Sequence, residues 1–450
     1  MQPTIALVLC SIFVLVLLRL DRKQSPEVSH ALWIPTIWML LISSKPLGIW
    51  FGGAGADEEG SSLDRVFLTV LLCLGVLVLA KRKLGFVDAI KENPWLMLLI
   101  GYMLVSISWS DMPFTSFKRW VKEFTAVVMA LAVATELRPR KAMESLLRKT
   151  IYILVPFSLL LIKYFPAYGR QYGRWSGALM WIGVTMQKNG LGRLCLISVM
   201  FLVWSLIGRW VQPKIPAAKF LNYAELIVLF TAVYLMNAPG GAYSATGIVA
   251  LAVGLFAYAA FLWAKRRGAS LARLPLRLLF CSVMFFGTAT VFAGGSTVGS
   301  FTSTVGRDNT LTGRTEVWAQ LLPVAMEKPI LGWGFGGFWT PGTRDEFDIS
   351  EAHSGYLEML LSIGFVGLLV FVMFVVSSCR KARSEFSYDF QWGSLWVCFF
   401  LMTLVHNITE SSLHTFNTQL TAIVIFFTVS SKEAISGPVE TESKVTSSAA

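Results

Sequence analysis

Apolar stretches of about 15 to 23 residues follow one another from Met1 to Ser430, and they constrain the fold more than any other feature. A helix needs roughly 20 apolar residues to cross the hydrocarbon layer of a membrane. Of the 450 residues, 55% are hydrophobic and only 15% are charged, which leaves too little polar surface for a soluble fold of this length. The sequence therefore predicts an all-α, polytopic transmembrane helical bundle.

We predict about twelve spans in this bundle, and roughly eleven to thirteen are compatible with the pattern. The apolar segments are 3–20, 31–50, 65–80, 95–109, 120–135, 150–164, 190–207, 223–237, 242–263, 277–294, 355–377, 393–409 and 414–430. Basic clusters follow alternate segments, near residues 19–23, 81–83, 138–141, 209–214, 265–277 and 380–383. Because basic loops stay in the cytoplasm, this alternation places residues 295–354 outside as one large loop with short helices of its own.

Residues 1–430 form the predicted membrane domain, within which 295–354 is the large external loop. The stretch 431–450 is polar and rich in small residues, so we predict a disordered cytoplasmic tail. The N-terminus lacks a basic segment and a small-residue cleavage site, and Met1–Leu20 is therefore interpreted as a retained span.

Charge and cysteine usage exclude several classes of protein. The formal charge of +12 is divided among short clusters between apolar segments, which indicates membrane orientation and argues against nucleic-acid binding. The six cysteines lie in or beside apolar segments without CxxC spacing, as buried small hydrophobes do. The acidic residues of the external loop lack the paired spacing of a divalent-ion site. We therefore predict neither a metal nor a cofactor.

The external loop carries two patterns of interest. Arg314 and Trp318 stand four residues apart at the start of an amphipathic helical segment and share one face. The stretch Gly332–Trp339 contains GxGxxG spacing, but it lacks the strand and acidic residue of a dinucleotide site. Two interpretations stay open: a turn that lays aromatic side chains on the membrane surface, or Trp333 and Trp339 as stacking platforms for sugars.

Ionisable residues at the external end of the predicted spans are functional candidates by default. His353, one of four histidines, precedes a long apolar segment, where a plain interfacial hydrogen-bonding role is the alternative. Arg170, Arg174 and Lys188 are external cations that fit an anionic ligand such as a lipid-linked diphosphate. Contacts to anionic lipid headgroups are the alternative for each of them.

Four segments make the chain resemble the bacterial O-antigen ligase and polysaccharide polymerase superfamily. The first is His353-Ser354, nine residues, Gly364, two residues and Gly367. The others are 109–119 (WSDMPFTSFKR), 187–192 (QKNGLG), and 313–318 (GRTEVW) followed by Gly332-Trp-Gly334. One departure is that the segment 240–247 lacks the arginine that many members carry in a mid-chain span, which leaves one phosphate contact unassigned.

The resemblance implies a metal-independent glycosyltransferase of the bacterial inner membrane. Its donor would be an undecaprenyl-diphosphate-linked oligosaccharide, and a chain-length regulator is a possible partner besides membrane lipids. Arg314 would clamp the diphosphate and His353 would act as base or orienter for the acceptor hydroxyl. Substrate contacts would come from Arg170, Arg174, Lys188, Trp318, Trp333 and Trp339, with Glu316 and Glu351 as supporting residues.

Three functions follow from these expectations. Polymerase-like segments favour a polysaccharide polymerase of exopolysaccharide or O-antigen biosynthesis. The second is a ligase that transfers the glycan to lipid A core or to protein. The third is a glycolipid flippase without chemistry, which the scarcity of charges at the centres of the predicted spans disfavours.

Overall fold

The structure, a computed structural model, describes residues 2–52, 61–82, 91–173, 177–211, 218–238, 243–268, 275–292 and 313–430. Helices account for most of these ranges. They are α1 (Pro3–Gln24), α2 (Trp33–Ile42), α3 (Leu47–Trp50), α4 (Ser62–Lys81), α5 (Pro94–Ser106), α6 (Pro113–Ala134), α7 (Pro139–Tyr164), α8 (Pro166–Gly169), α9 (Lys188–Val211), α10 (Ala218–Met236), α11 (Ala245–Arg266), α12 (Leu276–Phe292), α13 (Arg314–Ala325), α14 (Pro341–Phe347), α15 (Gly355–Tyr388), α16 (Phe390–His406) and α17 (Gln419–Val429). A short antiparallel hairpin pairs β1 (Arg170–Tyr172) with β2 (Leu179–Trp181).

The lengths of these helices agree with a multi-pass membrane protein. Within the described ranges, six helices are long and apolar enough to cross a membrane: α1, α4, α7, α9, α11 and α15. Six shorter apolar helical segments of 10–17 residues accompany them. The outer faces of α1 and α4 expose many apolar side chains, as lipid contact requires. The all-helical membrane architecture is thus supported, and the number of about twelve spans stays a prediction.

Local sequence signals fix where several helices begin. Proline occupies the first turn of α1, α5, α6, α7 and α14, where its missing N–H costs no hydrogen bond. Helix α4 begins with a capping box, in which Ser61 and Asp64 satisfy each other's backbone N–H groups.

Members of the predicted cytoplasmic basic clusters that lie within the described ranges meet at one end of the bundle, which we call the basic end. Four ion pairs join helix termini there: Arg82–Glu136, Arg138–Glu27, Arg140–Glu385 and Arg209–Glu225. The first three of these contacts connect segments that are distant in sequence, so the orientation predicted from charge is compatible with the packing.

Helix α7 extends further toward the basic end than predicted, starting at Pro139 and not near residue 150. It therefore carries Arg148 inside the helix, where the side chain pairs with Asp21 and Glu225. Buried charges persist when opposite charges accompany them, and here two carboxylates face the guanidinium. Arg148 lies outside the predicted span 150–164, so the scarcity of charges at the span centres stays a prediction. The cluster links α1, α7 and α10.

A second correction concerns the C-terminal region. The sequence predicted spans at 393–409 and 414–430, with only a tight turn between them. Helix α16 instead ends at His406 and α17 begins at Gln419, because polar side chains capture the backbone between them. Asn407 Oδ1 accepts from Ser412 N at 2.8 Å, and Thr421 donates to Ser412 O at 2.7 Å. Residues 407–418 thus form a loop, named the 407–418 loop, at the end opposite the basic end.

The described part of the predicted external loop, 313–354, has a small core of its own at that same end. Buried apolar side chains of α13 and of the segment before α14 pack on the first turns of α15: Trp318, Leu321, Ala325, Phe338, Trp339, Leu357, Leu360 and Leu361. The acidic segment 57–59, residues 295–312 and the tail 431–450 lie outside the described residues.

Candidate active site

His353 has a left-handed backbone, with φ at 50°, which is uncommon for a residue other than glycine. The preceding residue, Ala352, is held through both of its backbone polar groups. Trp318 Nε1 donates to Ala352 O at 2.9 Å, and Ala352 N donates to Glu358 Oε1 at 2.5 Å. The neighbouring hydrogen bonds therefore hold the conformation that turns the chain at His353 into α15.

Gly364, the first glycine of the motif, breaks α15 with φ 63° and ψ −167°. The segment 329–333 inserts at this break. Phe365 N donates to Pro329 O at 2.8 Å, and Trp333 N donates to Leu361 O at 2.8 Å. A Cβ on Gly364 would collide with Ile330 O. The Gly-Trp-Gly stretch and the motif glycine thus form one joint, which positions the helix that begins beside His353.

Replacing Gly364 by alanine should destabilise the protein by about 3 kcal/mol or more, since its backbone region is nearly restricted to glycine and the added Cβ has no space. The measurement is thermal unfolding of the purified protein in detergent. The control is Gly101→Ala, because Gly101 lies in α5 and an added Cβ would meet no atom within 4 Å there. Equal unfolding temperatures for the two variants would contradict the claim that Gly364 is required where the segment 329–333 meets α15.

Glu351 lies beside His353, with 3.2 Å between Glu351 Oε1 and His353 Nδ1. Burial raises the pKa of the Glu351 carboxyl, but the contact with His353 and the charges of Arg193 and His414 outweigh it, so the pKa is lowered overall. The carboxylate therefore stays ionised at neutral pH and faces Nδ1. This arrangement leaves Nε2 as the nitrogen for a substrate proton.

Arg314 stands at the first residue of α13, after Gly313 with φ at 84°. Its Nη1 donates to Thr409 O in a short hydrogen bond, and its Nη2 donates to Glu410 Oε1 at 2.7 Å. Both partners belong to the 407–418 loop. Glu316, the expected support for Arg314, is exposed, and the contacts of the guanidinium go to the loop instead.

Two basic side chains that the sequence did not point to share charged neighbours with Arg314. Arg193, one turn into α9, is half-buried and lies within electrostatic range of Glu410 and Glu351. His406, at the end of α16, is fully buried. It lies within electrostatic range of Arg193 and Arg314. Neither His406 ring nitrogen has a hydrogen-bond partner within the described ranges. Arg193 directly follows the 187–192 motif, a signal that could have identified it.

The 407–418 loop connects the Arg314 and His353 regions. Gly355 N, two residues after His353, donates to Asn407 O at 3.0 Å. The hydroxyls of Thr246 and Thr409 lie 2.8 Å apart, which links the loop to the start of α11. Glu123 of α6 accepts from Thr415 Oγ1 at 2.7 Å and from Phe416 N.

The aromatic residues proposed for sugar stacking are placed differently. Trp318 is fully buried and Trp339 is 8% exposed, and Trp339 Nε1 donates to Glu358 at 3.0 Å. A sugar ring cannot stack on either indole without repacking the small core, and both tryptophans instead support the Ala352–Glu358 contact beside His353. Trp333 is half-buried, with Lys328 Nζ 3.8 Å from its ring centre.

The remaining predicted cations do not all join this cluster. Arg170 Nε donates to Ile162 O at 2.7 Å, which ties β1 to the end of α7. Lys188 is half-buried at the first residue of α9, one residue before Asn189, whose side chain contacts Glu410. Arg174 and part of the 240–247 segment lie outside the described residues.

The assembled groups can bind an anion and move a proton. Two guanidinium groups, Arg193 and Arg314, form a cationic region that suits phosphate oxygens. His353, whose Nδ1 lies 3.2 Å from Glu351 Oε1, has the chemistry of a general base. Within the described part of the chain, no group of His, Cys, Asp and Glu has the arrangement of a metal site.

Comparison with known proteins gives two matches. Residues 227–372 match the O-antigen ligase family Wzy_C. Over 302 residues the chain is 24% identical to exopolysaccharide production protein ExoQ of Rhizobium meliloti (strain 1021). The aligned region covers 63% of this chain and 64% of that protein. The chain thus spans just under two thirds of this relative. No solved structure matches. The family segment includes Arg314 and His353 and ends before the 407–418 loop.

Proposed function

Because the chain is a member of the O-antigen ligase and polysaccharide polymerase superfamily, as its motifs predicted, we propose that it is a polysaccharide polymerase of the bacterial inner membrane. It transfers an undecaprenyl-diphosphate-linked glycan to a sugar hydroxyl on a second lipid-linked glycan at the periplasmic face. The observation that carries this proposal is that Arg314, Arg193 and the His353–Glu351 pair are collected at the end opposite the basic end.

The chemistry follows from the donor, which carries its own leaving group. The acceptor hydroxyl attacks the anomeric carbon, a new carbon–oxygen bond forms, and the bond from that carbon to the diphosphate oxygen breaks. His353 Nε2 takes the hydroxyl proton, while Glu351 balances the positive charge on the ring. Arg314 and Arg193 stabilise the negative charge that grows on the departing diphosphate.

Arg314 is suited to this role because the 407–418 loop fixes the plane of its guanidinium in advance. Preorganised donors stabilise developing charge without reorganisation during the reaction. Arg170, Arg174 and Lys188 remain proposals for holding more distant parts of the donor, and Trp333 for a sugar. The proposed contacts do not include Trp318 and Trp339, because both are buried in the small core. They do not include Glu316 either, because it is exposed and the contacts of Arg314 go to the 407–418 loop.

The test is glycan transfer by purified protein in proteoliposomes. The donor is the lipid-linked oligosaccharide that accumulates when the gene is deleted from the source organism. A polymerase produces a ladder of lipid-linked products that lengthens with time. Products attached to added lipid A core or to protein would identify a ligase, and movement of intact donor across the bilayer without new linkages would identify a flippase.

The relative's name supports the polymerase, since it refers to exopolysaccharide production. The family description supports the ligase. The acceptor distinguishes them, and the ladder assay reads the acceptor directly. The buried cluster at Arg148 is the feature that a flippase would most plainly use, but its charges are paired and it lies toward the basic end.

We further propose that transfer needs no divalent ion, because arginines provide the charge that a metal would otherwise supply at the diphosphate. Activity should therefore be unchanged, within about twofold, when the protein and substrates are treated with excess chelator. Loss of activity that magnesium or manganese restores would overturn this. A metal-dependent glycosyltransferase assayed in parallel confirms that chelation was complete.

A further inference from the structure

One carboxylate joins the parts of the chain that meet at the candidate site. Glu410 Oε1 accepts from Arg314 Nη2 at 2.7 Å and from Asn189 Nδ2 at 2.8 Å. The residue is only 5% exposed, and its charge also acts on Arg193. Glu410 thus links α13, α9 and the 407–418 loop through a single side chain. It lies outside the segment that matches the family.

We propose that Glu410 is a positioning residue, which sets Arg314 in the geometry that receives the departing diphosphate. The inference rests on the proposed function. Arg314 uses one N–H on each terminal nitrogen to contact the loop, so the plane of its fork is fixed. A guanidinium recognises phosphate oxygens well only when that plane is aligned with them.

The loop that carries Glu410 is itself restrained from two sides. Glu123 of α6 accepts from Thr415 Oγ1 and Phe416 N, and Asn407 receives the N–H of Gly355 beside His353. These contacts place Glu410 on a fixed support. The loop therefore sets the position of Arg314 relative to His353, as a reaction that needs both groups at once requires.

The sign of the charge separates positioning from substrate binding. A carboxylate near a diphosphate repels it, so Glu410 by itself weakens donor binding. Its contribution must lie in the orientation of Arg314. The variant Glu410→Gln keeps the size and removes the charge. We therefore expect kcat to fall about 10-fold or more, while KM for the donor stays equal or falls.

The experiment compares wild-type protein with Glu410→Gln, Asn189→Ala and Glu327→Gln in the proteoliposome assay. Glu327 is exposed at the end of α13 and serves as the matched carboxylate control, with wild-type kcat and KM. Asn189→Ala removes one restraint on Glu410 and should lower kcat about threefold to 10-fold without raising KM. Binding of undecaprenyl diphosphate to each purified variant is measured separately and should not weaken in Glu410→Gln.

Coupling to Arg314 provides the second readout. If Glu410 acts through Arg314, Glu410→Gln should lower kcat much less in an Arg314→Lys background. The planar guanidinium that Glu410 orients is already absent there. The effect of Glu410→Gln on kcat should then shrink to about threefold or less. A merely structural role would give the same fold-change in both backgrounds.

Several outcomes overturn the inference: an unchanged kcat in Glu410→Gln, weaker diphosphate binding in that variant, or additive effects with Arg314→Lys. If Glu410→Gln does not fold, a wild-type kcat in Asn189→Ala overturns it. If wild-type protein transfers glycan and the Glu410→Gln variant has the same kcat, the inference is overturned but the proposed function stands. Absence of transfer by wild-type protein would overturn the proposed function together with it.

Discussion

Replacing His353 by alanine should lower the rate of glycan transfer about 10²- to 10⁴-fold, the range that a positioned acid–base group contributes. The loss should appear in kcat, because the imidazole acts on the acceptor proton and not on the diphosphate. Glu351 would keep its place but face no base. The measurement is the initial rate of product formation in proteoliposomes at saturating donor.

His30→Ala is the matched control, since His30 is an exposed histidine that follows α1 on the basic side of the bundle. It should transfer at the wild-type rate. Undecaprenyl diphosphate binding by His353→Ala should remain near that of wild type, which separates loss of chemistry from loss of fold. A His353→Ala rate within threefold of wild type would remove this residue from the mechanism.

Replacing Arg314 by alanine should reduce kcat about 10²- to 10³-fold, as does removal of one preorganised donor from a site of developing negative charge. Donor binding should weaken as well, because Glu410 would keep a negative charge without its closest partner. Arg314→Lys should recover part of the binding but little of the rate, since lysine provides a point charge without the planar fork.

The control for Arg314 is Arg267→Ala, which removes an exposed arginine after α11 on the basic side. Thermal unfolding of both variants shows whether the helices stay assembled. An Arg314→Ala protein that is folded and transfers glycan at more than a third of the wild-type rate would exclude Arg314 from stabilising the leaving group.

Sequence patterns were sufficient for the features that depend on local composition. Apolar length predicted the helices, and the basic clusters do meet at one end in the structure. The resemblance to a known family selected His353 and Gly364, and it added to the helical period that had pointed to Arg314. The helix and charge signals lie within short windows, where the chain's own chemistry is the cause.

Side-chain environments could not be predicted in the same way. Trp318 and Trp339 were expected to contact the substrate, yet both are buried beside His353. Glu316 was chosen for its closeness in sequence to Arg314, whereas the partner is Glu410, 96 residues away. Packing and hydrogen bonds between segments that are distant in sequence determine the surroundings of these side chains. A single sequence does not show which distant segments meet.

The sequence by itself determined that this is a helical membrane protein with a basic end, and its family resemblance selected Arg314, His353 and Gly364 as candidates. Only the tertiary structure decided that Arg193 and the 407–418 loop join them. The physical reason is that a guanidinium or imidazole needs its partners within about 3 Å. In a bundle, those partners come from whichever helix ends share a face, and not from neighbours along the chain.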